Sequence, residues 1–320
     1  MLIIKKIGIL VILNVLVLFH ANAEAGTSRF TISPTVGFLY GKADEIAYKY
    51  PDRDLYLSEL LWDYKPLFYA GLNADYGYRD PFRHNTFAAS VSFKFGFPFR
   101  TGIMENRDWM NFSHNDATHY SRHDAYSLGA IFADITAGYS WLLNNSFALM
   151  AYGDFSYKRL SWSARDGYIQ YPSSGSFSSW EDNIPKQDIK GEVIRYTQNW
   201  FILAPGLSLK WKPNHHFSIM GSFDYSPLIY CYAVDEHLVE PARTYFDYLY
   251  FGHYLKGGAE LTYSPGNNFD FSLKLSYSHI SGTRGDSQVG ATRSPQGAGA
   301  GFSAFDLGLA VKMRPFDRDR

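Results

Sequence analysis

The sequence predicts an all-β fold: a ten-stranded antiparallel transmembrane β-barrel with long extracellular loops. Three observations lead there. The chain opens on an export signal, its aromatic residues are abundant out of proportion to the aliphatic ones, and segment after segment alternates strictly between apolar and polar residues.

At the N-terminus, Lys5 and Lys6 precede the apolar run "IGILVILNVLVLF", which ends at "HANA" with Ala21 and Ala23 in the small-x-small arrangement of a cleavage site. Residues 1–23 are expected to be a removed signal peptide and residues 24–320 a single barrel domain. The run is short for a retained spanning helix of about 20 residues. Asp, Lys, Asn or Gly interrupts every later apolar run, which excludes a helical membrane protein. The one cysteine, Cys231, has no disulfide partner in the chain and reads as an aromatic-flanked packing residue. A net charge of −1 with scattered basic residues excludes a nucleic-acid footprint.

The chain carries 25 Phe, 25 Tyr and 7 Trp. Aromatics in such number suit either a sandwich core or the interfacial girdles of a membrane barrel. Strands follow from period-two alternation. In "FDFSLKLSY", Phe269, Phe271, Leu273, Leu275 and Tyr277 share one face and Asp270, Ser272, Lys274 and Ser276 the other. "LKGGAELTY", "FSIMGSFDY" and "FALMAYGDFSY" repeat the pattern. The connections choose the barrel over the sandwich. Short turns at "YRDPFRHN", "LLNN", "KPNH" and "SPGNN" alternate with long polar segments near 42–57, 98–122, 160–190, 232–246 and 281–299. Ten strands result, near 28–41, 58–77, 85–110, 123–142, 146–163, 191–211, 215–235, 243–264, 268–282 and 299–316; an even number closes without an edge. Many exceed the roughly 9–11 residues that cross a bilayer, so the barrel should project beyond it on the long-loop side. After Phe316 the chain ends in "DRDR", an unusual finish for such a strand.

Two pairs could carry chemistry at the projecting rim. In "MENRDWM", Asn106 and Asp108 share a strand face and Glu105 and Arg107 the other. The upstream phase, with Val91, Phe93, Phe95 and Phe97 outward, turns Asn106 and Asp108 inward. In "VDEH", Asp235 and His237 also share a face, and a carboxylate beside an imidazole can set its tautomer and raise its basicity. Counting in twos from the outward Phe223 and Tyr225 would send that pair outward, so a bulge is expected at "SPLIY", around Pro227. The alternative for Asp235 and His237 is an ordinary polar pair on an exposed loop.

These residues reach a resemblance. "GFLYGKADEIAY", "SELLWDYK", "RDWM" followed by "SRHD", "SWSARDGYIQY", "DEH" and "GAG" before the last strand occur in the order and spacing of the omptins, a family of ten-stranded outer-membrane endopeptidases, and the chain resembles them over most of its mature length. The resemblance implies a water-mediated peptidase in which a His and Asp dyad faces a pair of aspartates. Matched by position, the dyad falls on His237 and Asp235, one paired aspartate on Asp108 and the other on Asn106. An amide there accepts a hydrogen bond but supplies no charge, and losing one preorganised electrostatic partner costs about 10²–10³ in rate. Glu105 points away, so activity survives reduced, draws on another acid such as Asp116, or is lost.

The resemblance also implies an acidic pocket for a basic side chain. Glu45 contributes to it, but its partner position is Ala233, so the preference for Arg or Lys should weaken. A further acidic subsite falls near His119. Arg159 matches a basic position that binds lipopolysaccharide, though an interfacial arginine reaching the headgroups would look the same. No protein cofactor or metal is expected; lipopolysaccharide is a candidate activating lipid. The expected partners are outer-membrane lipid and peptide or protein substrates outside the cell, with a monomer in a Gram-negative outer membrane and the site facing outward.

Other chemistries lack support: there is no G-x-S-x-G elbow, Cys231 has no partner, and His215 and His216 fall in a short turn where adjacent residues point apart. The competing function is a non-catalytic barrel serving as an adhesin or host-protein-binding surface, motivated by Asn106 and Ala233. A passive pore is disfavoured because Asp154, Asp224, Lys256 and Glu260 should fill a lumen of ten strands.

Overall fold

The computed structural model describes residues 28–49, 55–78, 85–111, 116–173, 178–182, 184–239, 241–266 and 269–313. The expected signal peptide, the tip of the "YRDPFRHN" turn and the "DRDR" tail lie outside them. Among the described residues there is no helix, and the strands are β1 (Ser28–Tyr48), β2 (Tyr56–Tyr78), β3 (Thr86–Gly96), β4 (Arg100–Asp108), β5 (His119–Asn144), β6 (Phe147–Gln170), β7 (Gln187–Asp188), β8 (Glu192–Trp211), β9 (Phe217–Ser226), β10 (Ile229–His237), β11 (Arg243–Tyr250), β12 (His253–Tyr263), β13 (Phe269–Val289) and β14 (Thr292–Met313). β3 with β4, β9 with β10 and β11 with β12 each form one interrupted stave, and β7 only caps the end of β6. Ten antiparallel staves therefore make a ring, which β1 closes on β14.

Alternation works as the sequence predicts. Exposed apolar side chains such as Leu72, Phe93, Ile135, Leu207, Leu261, Leu273 and Leu309 cover the outside. Aromatics border the band: Trp141, Trp211, Phe217 and Tyr263 at the short-turn end, and Phe201, Tyr225, Tyr250 and Phe251 at the other. Inside, the lumen is crossed by charge pairs. Lys94 meets Asp306 at 2.6 Å, Lys256 meets Asp224 at 3.9 Å, and Glu260 is held by Lys274 at 3.6 Å and by Lys312. A cavity of about 400 Å³ remains between them.

Two expectations need correction. The segments 42–57 and 281–299 are largely strand rather than loop, and 160–190 begins as strand: β1 runs on to Tyr48, β6 to Gln170, and β13 turns into β14 through Gly290 and Ala291 alone. Glycines and serines hide the alternation there, but the backbone still pairs, as Val289 does with Thr292. The 85–110 strand is also not continuous. Phe97, Pro98 and Phe99 interrupt it, because Pro98 cannot donate to the ladder.

Above the membrane band the interior changes character. Trp62, Tyr64, Trp162, Tyr196 and Trp200 are fully buried. Tyr196 stacks on Trp62 at 5.8 Å and on Trp162 at 6.0 Å, while Tyr64 lies 4.7 Å from Trp162. Gln198 ties this layer to the wall: its amide donates to the Asp44 carbonyl at 3.0 Å and its oxygen accepts from the Trp200 indole at 2.9 Å. In a membrane barrel the aromatics are expected in the girdles, and here a second set lies inside. This layer instead blocks the barrel and forms a rigid floor on which the rim residues stand.

Candidate active site

The phase of two interrupted staves decides which rim residues face inward. Along β8, Ile202 and Gly206 are four residues apart, yet they pair with Ile229 and Asp224, which are five apart. One extra residue thus sits between β9 and β10, at the Pro227 where a bulge is expected. Ser226 closes it, donating to the Leu203 carbonyl at 2.6 Å and accepting from the Leu228 amide at 2.8 Å. Inward positions pass from Asp224 and Ser226 to Cys231, Ala233 and Asp235. Cys231 is fully buried, as a packing residue should be.

On the third stave, two irregularities cancel. The break at 97–99 inverts the phase, so that Thr101 is buried, and a bulge at Gly102 restores it. Gly102 has φ of 142°, and a Cβ there would lie 2.6 Å from the side chain of Asp63, so only glycine fits. Asn106 and Asp108 consequently face inward, 7% and 9% exposed.

One wall of the crevice holds the dyad, with His237 Nε2 2.7 Å from Asp235 Oδ2. Asp235 is buried and His237 more open, with its ring edge-on to Tyr245 at 5.4 Å. Burial works to lower the His237 pKa, but the hydrogen bond and charge of Asp235, helped by Asp108, outweigh it and hold the imidazole above its ordinary value. On the other wall, Ser58 donates to Asn106 Oδ1 at 3.1 Å and Asn106 Nδ2 donates to Asp108 Oδ2 at 3.3 Å. Burial raises the Asp108 pKa; Ser58, His119, Asn106 and His237 pull the other way. Asp108 and His237 therefore act on each other's titration from opposite walls.

The remaining predicted positions are placed as follows. His119 lies opposite Asp108 in the β4 to β5 register, bonded through Nδ1 to Thr118 Oγ1 at 2.8 Å and tilted on Tyr171 at 4.8 Å; burial lowers its pKa, and Asp108 partly offsets this. Glu45 is buried behind the dyad, and Ala233 is fully buried. Glu105 accepts from the Tyr120 hydroxyl at 2.6 Å, and Asp116 is exposed. Arg159 is exposed on the outer face, in register with Asn199. Two residues were not assigned roles from sequence. Ser58 was legible only as part of "SELLWDYK", whose Ser58, Leu60 and Trp62 form one inward face. Asp247, an inward acid among the aromatics of "YFDYLY", was missed. His123 docks its Nδ1 on the Asp166 carbonyl at 2.5 Å, joining the "SRHD" and "SARDG" segments, so those two motifs hold the rim together.

Comparison with known proteins agrees with this architecture. The Omptin family model matches residues 27–307. The chain belongs to the omptin family. The plasminogen activator of Yersinia pestis is 26% identical over 280 residues, covering 79% of this chain and 84% of that protein. The crystal structure of the outer-membrane protease OmpT from Escherichia coli superposes with a TM-score of 0.81 at 20% identity, covering 91% of this chain and 99% of that one. This omptin is thus an outer-membrane β-barrel of the Gram-negative type, of the protease family.

Proposed function

We propose that this omptin is an outer-membrane endopeptidase that uses His237 and Asp235 against Asp108, with its site facing out of the cell. The observation that carries the reading is geometric: a His237–Asp235 pair joined at 2.7 Å stands on the same rim as the inward-facing, buried Asp108. Asp235 occupies Nε2 and so leaves Nδ1 to take a proton. A water between Nδ1 and Asp108 attacks the peptide carbonyl, its proton passes to His237, and the imidazolium then protonates the leaving amine. Asp108 and Asp235 stabilise the imidazolium while it exists, and no acyl-enzyme forms.

Asn106 changes this less than its neutral charge suggests. Two aspartates about 3 Å apart resist double ionisation, so up to about neutral pH such a pair carries one proton, one internal hydrogen bond and one negative charge. Asn106 donating to Asp108 has the same charge and the same hydrogen bond. What the amide cannot do is release that proton, and the expected result is reduced rather than abolished activity. Outer-membrane lipid surrounds the barrel, and lipopolysaccharide bound through Arg159 is the proposed activating lipid, with the protein acting as a monomer on peptides or proteins outside the cell.

The test is cleavage of a mixed peptide library by refolded protein with lipopolysaccharide, comparing wild type with His237→Ala and Asn106→Asp. Cleavage that His237→Ala removes supports the reading; cleavage indifferent to His237→Ala rejects it. The second reading, a non-catalytic barrel that binds host proteins, is favoured by Asn106 itself. It predicts silence in the wild type and binding unaffected by His237→Ala.

A further inference from the structure

The dyad aspartate and two acids behind it have unmet hydrogen-bonding capacity. Glu45 on β1, Asp235 on β10 and Asp247 on β11 are 7%, 3% and 4% exposed, and Glu45 Oε2, Asp235 Oδ1 and Asp247 Oδ1 each lack a hydrogen-bond donor. Carboxylates in such a place need either protons or a cation. Among the described residues, no group of His, Cys, Asp and Glu is arranged to hold a metal ion.

The register explains how the third acid arrives. Asp247 is paired directly with Ala233 across β10 and β11. Side chains so paired on one face have Cβ atoms about 4.5–5.5 Å apart, and two acids placed there would repel. Ala233 is thus the small residue that leaves room for a carboxylate entering from the next strand. Asp247 reaches the same inward level from β11 that an acid at position 233 would reach from β10. Ser287, its partner on β13, supports it from the far side.

We infer that Asp247, together with Glu45, forms the pocket for a cationic side chain of the substrate, and that Asp247 rather than position 233 is the specificity-determining acid in this chain. The inference rests on the endopeptidase reading for the identity of the substrate, but not for the pocket. On this inference the basic preference expected to weaken at Ala233 is kept, because the acid enters from the neighbouring strand. Burial and the nearby Asp235 charge raise the carboxyls of Glu45 and Asp247, as expected of acids awaiting a cation. A guanidinium or ammonium entering the pocket would replace shared protons with charge-assisted hydrogen bonds.

The experiment measures binding of two peptides that differ only by arginine or its neutral isostere citrulline, in the His237→Ala background so that cleavage does not intervene. The arginine peptide is expected to bind at least about tenfold tighter, as a buried charge pair requires. Asp247→Asn should reduce that ratio to about threefold or less, and adding Ala233→Asp to Asp247→Asn should restore it. A ratio unchanged by Asp247→Asn, or no preference for arginine at all, overturns the inference. A circular dichroism spectrum and heat-modifiable mobility equal to wild type show that each variant is folded, and Asp247→Ser serves if the asparagine variant is not. Selective binding by a wild-type protein that cleaves nothing would overturn the peptidase reading and leave the pocket standing.

Discussion

Asn106→Asp is the substitution whose effect follows most directly from the site. The Asn106 amide lies 3.3 Å from Asp108 Oδ2. A carboxylate in its place would repel Asp108 by about 5 kcal/mol at an effective dielectric constant of about 20, which is about 4 pKa units. One member of the new pair would therefore hold a proton until pH about 7 to 8. Below that the variant carries the same single negative charge as the wild type, and the two should cleave at similar rates. Above it, a second charge acts on His237; through the single bridging water of the proposed mechanism the two would be about 6 Å apart. That charge stabilises the imidazolium by about 3 kcal/mol, or about 100-fold in rate. The assay is kcat/KM on a quenched fluorescent peptide between pH 5.5 and 9, with lipopolysaccharide present. The ratio of variant to wild type should rise from near one to about 100 with an ionisation the wild type lacks. A ratio flat across that range, or falling with pH, would refute the argument that Asn106 stands in for the protonated acid.

Further outcomes are expected. Because His237 must be neutral to accept a proton and its pKa lies above the ordinary value, wild-type kcat/KM should fall as pH drops through a midpoint above 6.5; Asp235→Asn should move that midpoint down and slow cleavage by about 10² or more. Asp247 has its pKa raised to about 7, so its favourable contribution to folding is present below its unfolded value near 3.8 and is lost as pH rises towards 7. Asp247→Asn should be no more stable than wild type at pH 4 and more stable at pH 8, by at most about 4 kcal/mol, in denaturant titrations in detergent. Trp62→Ala removes a fully buried, stacked ring and should cost about 3–5 kcal/mol in the same titrations, with loss of cleavage as the floor of the site gives way. Arg159→Ser should raise the lipopolysaccharide concentration needed for half-maximal activity and leave the pH profile unchanged, since Arg159 sits on the outer face away from the crevice.

What the sequence determined by itself was everything that repeats at short range. Period-two alternation decides which face of each strand meets lipid, because neighbouring side chains in a strand point opposite ways whatever the rest of the chain does. The spacing of Asp235 and His237 gives them a common face within any uninterrupted strand, and the structure joins them there at 2.7 Å. The Pro227 bulge was legible as a conflict between two phases of one stave, which an extra residue resolves. The tertiary structure decided which distant strands meet and at what height. The two cancelling shifts at Pro98 and Gly102 leave no net trace in the alternation, so a correct inward phase for Asp108 concealed a broken strand. The aromatic floor comes from β2, β6 and β8, whose rings reach one level only because the barrel closes at a particular register. Asp247 shows the same limit most clearly. Ala233 looks like a lost acid along β10, and only pairing with β11 places a carboxylate beside it. A strand's own sequence specifies its faces, whereas the register between strands is set by closure of the whole ring.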